Sequence, residues 1–464
     1  MSQNMEKRYG LPTAICMVIG IVIGSGIFFK TEGVLSATGG NVLTGVLSLL
    51  IMGMVMLFCA YAFSLLSQKY GKVNGVLDYA EAACGEKYAY YLGWFMTYIY
   101  TPNITGVLCW VSARYFGSLF GFGATDGNVM ALACLILVGV AFLNAVAPKL
   151  SGKLQVSTTV IKLIPLIAMA VVGMVSGLAN GQLMANITAE SASDITPMGG
   201  LTASVVSLAF AFEGWILATS INAELKDAKK NLPRALIIGS VVVVAVFVLY
   251  YMGICGAVSV KELTAADGGA PLAFKKMFGN IFGTVLTVFV VISCLGTTNG
   301  LMIANSRSLY ALAVRGNGPK PKLFATVDEN SGMPTNSAFM GALTTAFWMV
   351  YFYGANLSSG WFGPFNFDSS ELPIVALYAM YIPIFLKMYK DKTMHPVKRA
   401  IVPSLAILSC IVLITCAVYS HGIVKYQAAA AEGKFSFPVL FFLIVFAVVM
   451  FVGRFFYHPV KETE

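Results

Sequence analysis

Apolar segments of about 20 residues recur twelve times along this chain of 464 residues. Each is long enough to cross a hydrocarbon core of roughly 30 Å as an α-helix. The chain is 58% hydrophobic and only 11% charged, which is too apolar for a soluble domain. The strands of a membrane β-barrel would alternate in polarity over about 10 residues, and these segments do not. The sequence therefore predicts an all-α integral membrane protein with transmembrane segments at 11–36, 42–68, 88–119, 128–147, 155–178, 199–223, 234–259, 277–314, 336–354, 371–389, 401–420 and 436–457.

The basic residues predict the orientation of these segments. The two termini and the even-numbered loops carry 21 Lys and Arg residues, whereas the odd-numbered loops carry 6. The positive-inside rule then places both termini in the cytoplasm. The net charge of +9 is explained by this topology and gives no reason to expect a nucleic-acid partner. We expect a multi-pass protein of the cell (plasma) membrane.

The loops leave no room for a soluble domain, so residues 1–464 form a single membrane domain in this interpretation. The longest hydrophilic loops span about 20 residues, and no GxxxxGK[ST] motif occurs, which argues against direct use of ATP. The nine cysteines form no CxxC pair and are interpreted as reduced, small apolar residues. His395, His421 and His458 are isolated in the sequence, so we expect no metal site and no cofactor.

Two segments are interrupted near mid-membrane. The first contains Gly24–Ser25–Gly26 within "IGIVIGSGIFF", and the sixth contains Glu213 and Gly214 within "SLAFAFEGWILATS". A charge at that depth costs about 2.5–3.5 kcal/mol, which makes Glu213 a functional hypothesis. The alternatives are a carboxyl group that only holds an unwound turn and one that couples protons or contacts substrate. Gly20, by contrast, fits small-residue helix packing.

Paired helix breaks are typical of secondary transporters with inverted repeats. Unwound backbone exposes N–H and C=O groups that hydrocarbon cannot satisfy, so it must line a polar cavity. N–H groups at the start of a half-helix suit a carboxylate, and carbonyls at the end of a half-helix suit an ammonium group. We therefore predict a first repeat at 11–178, a second at 199–389 and two accessory helices at 401–457.

Several motifs resemble a known family. "IGSGIF", "AFAFEGW", "AELKDAKKNLPRAL" and "GTTNGLMIANSRSLYALAVRGNGPKP" follow one another as in the amino acid–polyamine–organocation (APC) superfamily, and most closely its L-amino acid transporter (LAT) branch with bacterial relatives. The resemblance implies the five-plus-five inverted-repeat (LeuT-type) fold, with helices 1 and 6 broken and two helices added at the C-terminus. It also implies amino acid substrates.

The resemblance also implies a set of site residues. The substrate carboxylate would meet backbone N–H groups of Ser25 and Gly26, and the ammonium group would meet carbonyls of Val22, Phe210 and Glu213. Phe210 would also act as a gate over the substrate. The pocket walls would be Ile23, Phe210, Phe212 and Thr297, with Asn299 as a further lining residue. The full predicted substrate site is Val22, Ile23, Gly24, Ser25, Gly26, Phe210, Ala211, Phe212, Glu213, Gly214, Thr297 and Asn299.

A lysine deep in the fifth segment must find acceptors or lose its charge, and Lys162 is such a residue. By resemblance, its ammonium group replaces a bound sodium ion and bridges the first break to the eighth segment near Thr297 and Thr298. The alternative is that Lys162 extends towards the cytoplasmic interface. Separately, Pro102 in the third segment frees a carbonyl, and Asn103 could satisfy it.

The expected function is sodium-independent transport of neutral L-amino acids by exchange. Proton symport through Glu213 or Lys162 is the alternative. An antiporter of cationic substrates is a third possibility, but it would need more acidic pocket residues than the single Glu213. A channel or a membrane enzyme is disfavoured because no catalytic constellation is visible.

Two motifs depart from the animal LAT-type transporters. The motif "AFEGW" has an acidic residue where the animal form "AYGGW" has glycine, which leaves open how transport is coupled. The loop "GFGATDGN" lacks the cysteine that links animal LAT-type transporters to a partner, so we expect no disulfide-linked subunit. The oligomeric state and the preferred side chain stay open.

Overall fold

The computed structural model of the protein describes residues 10–70, 75–147, 150, 158, 161–189, 195–216, 225–265, 269–358 and 360–459. Helices dominate these ranges, and no β-strand occurs within them, as predicted for an all-α protein. The α-helices are α1 (Leu11–Val22), α2 (Ser25–Ala37), α3 (Val42–Lys69), α4 (Val76–Cys84), α5 (Glu86–Phe95), α6 (Thr101–Ser118), α7 (Gly127–Val146), α8 (Leu163–Ala168), α9 (Met174–Ala179), α10 (Gln182–Thr188), α11 (Pro197–Ala211), α12 (Ala228–Ala257), α13 (Val260–Ala265), α14 (Gly269–Ala313), α15 (Pro321–Phe324), α16 (Thr335–Phe352), α17 (Leu372–Met388), α18 (Pro396–Ala417), α19 (Lys425–Ala431) and α20 (Pro438–Gly453).

Every predicted transmembrane segment contains helix. Seven helical stretches of the described chain are long and apolar enough to cross a membrane, and eight if the bent run Leu163–Thr188 counts as one. Part of the fifth segment (155–157, 159 and 160) and the end of the sixth (217–223) lie outside the described residues. The protein is therefore a multi-pass membrane protein, and the number of twelve crossings stays a prediction.

Glycines allow the fifth and seventh predicted segments to pack closely. A Cβ atom on Gly173 would collide with the Gly253 backbone, and one on Gly177 would collide with Gly256. Small residues that face each other let membrane helices approach to backbone contact. This contact holds α9 and the π-helical turn before it against α12.

The third predicted segment is continuous through its proline. It runs from α5 through a π-helical turn, Met96–Tyr100, into α6, where Pro102 is a first-turn residue. Pro102 has no N–H to donate to the carbonyl four residues earlier, which belongs to Tyr98. The Trp348 indole N–H donates to that carbonyl at 2.7 Å. The expected role of Asn103 is therefore wrong, since its buried amide has no hydrogen-bond partner among the described residues.

The broken first segment lies at the centre of the bundle. Its first half, α1, packs on α12, and its second half, α2, packs on α11 and α14. Outside this centre, α3 packs along α12 and against α18, which in turn packs on α17. Because α2 lies directly on α11, the ends of both interrupted helices meet in the middle of the molecule.

Candidate functional site

The first break is two residues long. Helix α1 ends at Val22, Ile23 is extended, and Gly24 has φ −141° and ψ −148°, outside the helical region. Helix α2 begins at Ser25 without a side-chain cap from Gly24. The first N–H groups of a helix have no acceptor within it. The start of α2 thus presents backbone donors, and binding of a carboxylate by the N–H groups of Ser25 and Gly26 stays a prediction. The Ser25 side chain lies outside what the structure describes.

The second break follows Ala211. The N–H of Phe212 still donates to the Leu208 carbonyl, but Gly214 has φ 96°, which only glycine adopts readily. Between these two residues, Glu213 is buried. Its Oε1 accepts a hydrogen bond from the Tyr100 hydroxyl group at 2.5 Å. A carboxyl group at the break is therefore held by the third predicted segment.

Tyr100 is a site residue that sequence reasoning missed. It ends the π-helical turn that precedes Pro102. π-Helical turns often occur at functional sites, and a nearby proline is a signal that can be read from sequence. The tyrosine itself carries no motif, so its partner Glu213 could be identified only from the packing.

The two breaks are in direct contact. A Cβ atom on Gly26 would lie 2.6 Å from the Ala211 Cα and 3.3 Å from the Phe210 carbonyl oxygen. A Cβ atom on Gly24 would lie 2.5 Å from the Thr297 hydroxyl oxygen. Only glycine fits at either position without displacing its neighbour. The structure thus brings the predicted residues of segments one, six and eight together.

Lys162 lies against the end of α1. It is completely buried, and its ammonium group donates a hydrogen bond to the Gly20 carbonyl. In a continuous helix the N–H of residue 24 would occupy that carbonyl. The break at Gly24 releases the carbonyl, and Lys162 takes the place of the missing donor. This observation also gives Gly20 a role beyond helix packing.

The predicted second half of the lysine bridge involves the two threonines. Thr297 donates to the Ser293 carbonyl at 3.0 Å, and Thr298 donates to the Cys294 carbonyl at 2.9 Å. The Thr298 hydroxyl also lies 3.1 Å from that of Ser112 in α6. These described bonds tie the threonines to α14 and α6, so their contact with the lysine stays a prediction.

The side chains of two predicted wall residues have partners on other helices. The Phe212 ring packs edge-to-face on Phe247 of α12, with centroids 5.0 Å apart. The Asn299 side chain accepts a hydrogen bond from Asn144 of α7 at 2.9 Å. Residues two apart on a helix point in nearly opposite directions, so these side chains lie on other faces than Phe210 and Thr297, and their place in the pocket stays a prediction.

Phe210 remains beside the first segment. Its ring packs edge-to-face on Phe29 of α2, with centroids 6.2 Å apart. The Lys30 ammonium group lies 5.5 Å from the Phe210 ring centroid. Ile23 and Ala211 are also buried at the break. Phe210, which was expected to gate the site, therefore contacts α2, the second half of the broken first segment.

Four charged side chains beside the site form two pairs of opposite charge. Lys30 lies 2.7 Å from Glu371, and Arg114 of α6 lies 3.0 Å from Glu32. His421 is not isolated, as its sequence context had suggested, because its Nε2 lies 2.9 Å from the same Glu371 carboxylate. Within the described chain no cluster of three or more His, Cys, Asp or Glu side chains is placed to hold a metal ion.

Comparison with known proteins identifies the family. The model of the family described as "Amino acid permease" matches residues 9–463. The chain belongs to this family. The expected resemblance to APC-superfamily permeases is thereby confirmed, and this permease is a membrane transporter rather than an enzyme.

Curated relatives of this permease are amino acid transporters. It is 28% identical to the serine/threonine exchanger SteT of Bacillus subtilis (strain 168) over 393 residues, which are 83% of each chain. It is 25% identical to the cystine/glutamate transporter of Homo sapiens over 422 residues, 90% of this chain and 81% of the relative. It is 28% identical to the Asc-type amino acid transporter 1 of Mus musculus over 321 residues, 68% and 60% of the two chains.

Proposed function

We propose that this permease is a sodium-independent transporter of neutral L-amino acids that works by alternating-access exchange. The observation that carries the proposal is the contact between the two breaks, in which Gly26 lies against Ala211 and the Phe210 carbonyl. This contact supports a single substrate site that has backbone N–H groups at one end and backbone carbonyl groups at the other.

The two ends suit the two charges that all amino acids share. The N–H groups at the start of α2, at Ser25 and Gly26, would bind the carboxylate, because a helix N-terminus favours an anion. The carbonyls of Val22 and Phe210 lie at the ends of α1 and α11 and would accept from the ammonium group. Backbone recognition of this kind is independent of the substrate side chain.

Lys162 supports independence from sodium. The end of α1 carries the negative end of a helix dipole and a carbonyl that the break has released. The buried ammonium group supplies a fixed positive charge to that carbonyl, on Gly20. A cation from solution is then not needed to stabilise the unwound backbone.

The pairing of charges supports neutral substrates. Lys30 pairs with Glu371, and Arg114 pairs with Glu32, so the charges of these four side chains beside Phe210 and Phe29 cancel. A charged substrate side chain would bury a charge without a partner, which is costly. The Bacillus relative is named as an exchanger of serine and threonine, whose side chains are neutral, and this supports both exchange and a neutral substrate.

The proposal includes the architecture that the family resemblance implied. Twelve crossings would form two inverted repeats, 11–178 and 199–389, followed by accessory helices in 401–457. Both termini would face the cytoplasm, and no disulfide-linked subunit would be needed. Contact between α2 and α11, which belong to the first segments of the two repeats, supports this arrangement.

Counterflow in proteoliposomes tests the proposal. Vesicles loaded with unlabelled serine or alanine should take up the labelled amino acid, with the same rate in sodium and in potassium buffer and without a pH gradient. Empty vesicles are the control and should take up little. Equal uptake into empty and loaded vesicles would exclude strict exchange, and a requirement for sodium would exclude the role given to Lys162.

Proton symport is the second candidate because Glu213 is a buried carboxyl group at the break. Its bond to Tyr100 suits either a structural carboxylate or a group that exchanges a proton. Symport predicts uptake into empty vesicles under an inward proton gradient, and loss of that uptake in Glu213→Gln. Exchange predicts that Glu213→Gln still supports counterflow.

A further inference from the structure

A buried charged cluster adjoins the paired breaks on the predicted outer side of the membrane. The Glu371 carboxylate is its centre: Oε1 lies 2.7 Å from Lys30 Nζ, and Oε2 lies 2.9 Å from His421 Nε2. The side chains of Lys30 and Glu371 are only 6% and 7% exposed. The carboxylate thus joins the broken first segment, the start of α17 and the π-helical turn Val418–Val424 that follows α18.

The Glu371 side chain makes these contacts instead of capping its own helix. Glu371 is the N-cap residue of α17, yet its side chain caps no N–H group of that helix. Polar side chains at the N-cap position commonly stabilise their own helix by such a bond. Here both carboxylate oxygens contact residues that are distant in sequence: Lys30 is 341 positions away and His421 is 50 positions away.

Lys30 connects the cluster to the substrate site. Its ammonium group lies 5.2 Å from the Phe29 ring centroid and 5.5 Å from that of Phe210. Lys30 and Phe29 move with α2, whereas Phe210 belongs to α11 and Glu371 to α17. An opening of the site between α2 and α17 must therefore break the contact between Lys30 and Glu371.

We propose that Lys30, Glu371 and His421 form the outer gate of the transport path. The ion pair between Lys30 and Glu371 closes it, and His421 is a positioning residue that holds the carboxylate in place. When the lysine leaves, His421 keeps the buried carboxylate hydrogen-bonded, which lowers the cost of opening. Accessory helix α18, with the π-helical turn after it, thereby takes part in gating. The inference rests on the alternating access of the proposed function.

The gate should respond to pH through His421. The titratable groups that face this side chain are Glu371, Lys30 beyond it, Asp368 from the segment before α17, and Lys425 from its own helix. The other elements packed on the turn, α11 and α20, carry no titratable side chain in their described ranges. Histidine changes charge between about pH 5 and 8. A protonated His421 repels Lys30 and competes for the carboxylate, so acid should favour opening to the outer side.

Sidedness of substrate affinity tests the ion pair. In right-side-out and inside-out membrane vesicles, Lys30→Met and Glu371→Gln should each lower the external KM and raise the internal KM, changing their ratio by about fivefold or more. The double variant should resemble either single variant, because the two residues act as one unit. Additive changes, or an unchanged ratio in all three variants, would overturn the gate.

The histidine has its own test, with a matched control. Wild-type external KM should fall between pH 7.5 and pH 5.5, whereas in His421→Gln it should not depend on pH over that range. His395→Gln alters an exposed histidine before the opposite end of α18 and should retain the wild-type profile. A wild-type profile in His421→Gln would overturn the role of this residue.

Failure of the gate is distinguishable from failure of the proposed function. The KM ratio can be measured for exchange or for gradient-driven uptake and efflux alike. If uptake proves to be proton-driven while Lys30→Met and Glu371→Gln still shift the ratio, exchange fails and the gate stands. If exchange is observed while the ratio is unaffected, the gate fails and the proposed function stands.

Discussion

The two breaks expose helix ends in the same part of the molecule but differ in chemistry. The first break, at Ile23 and Gly24, contains no charged side chain. The backbone at this break lies close to Ala211 and Thr297. The second places Glu213 just past the end of α11, where the helix dipole disfavours a negative charge.

The partners of the breaks differ in the same way. The first break receives a cation, Lys162, from the fifth predicted segment, and the second receives a hydroxyl donor, Tyr100, from the third. We therefore assign binding of the substrate backbone to the first break. The second holds the group that could distinguish exchange from proton coupling. The following variants separate these roles.

The largest effect is expected from Gly26→Ala. The added Cβ atom would lie 2.6 Å from the Ala211 Cα, so the two breaks would be pushed apart. A displacement of about 1 Å at a binding site can cost on the order of a hundredfold in rate, and we expect a loss of counterflow of that size. Gly139→Ala is the matched control, since a Cβ atom there meets nothing within 4 Å. Counterflow by Gly26→Ala at the wild-type rate would contradict the contact between the breaks.

Lys162→Met should have the next largest effect. It retains most of the side-chain volume but removes the donor to the Gly20 carbonyl. A hydrogen bond to a charged group is worth about 1.5–3 kcal/mol, so we expect exchange to fall by about tenfold or more. Substrate binding, measured by scintillation proximity, should fall less than transport. Unchanged transport would show that the lysine only extends towards the interface.

A pair of variants at the second break sharpens the comparison. Tyr100→Phe removes the donor to Glu213, which should lower exchange about fivefold. Glu213→Gln can still accept from Tyr100 and should retain most of the exchange activity. Both are measured by counterflow at pH 6 and pH 8. The reverse order, with Glu213→Gln inactive and Tyr100→Phe active, would favour the proton-coupled alternative.

The smallest effects are expected from two phenylalanines on opposite faces of the sixth segment. Phe210→Leu should raise the KM for external substrate a few-fold, because its ring borders the break. Phe212→Leu should leave KM unchanged and reduce stability by about 1–2 kcal/mol, because its ring packs on Phe247. Thermal unfolding in detergent checks the second expectation. A KM change in Phe212→Leu without one in Phe210→Leu would instead support Phe212 as a pocket-wall residue.

Sequence reasoning recovered the elements that depend on local pattern. Hydropathy located helix in every predicted segment. The glycines located both breaks because they weaken a helix wherever it packs, and Glu213 marked the second break because a charge at that depth is costly. The same reasoning placed Phe212 and Asn299 in the pocket beside Phe210 and Thr297, and this placement stays a prediction. A motif groups residues that are adjacent in sequence, whereas a helix turns residues two apart to opposite faces, so sequence alone could not predict the contacts with Phe247 and Asn144.

The sequence by itself determined that the chain is a multi-pass membrane protein with two interrupted helices, because hydrophobic length and helix-breaking residues act locally. Only the tertiary structure decided which groups meet: Lys162 with Gly20, Tyr100 with Glu213, Trp348 with Tyr98, and Glu371 with both Lys30 and His421. Each of these pairs joins residues 50 or more positions apart. Burial explains these contacts, because a buried charge or a carbonyl released from its helix is costly unless a neighbouring helix supplies a partner.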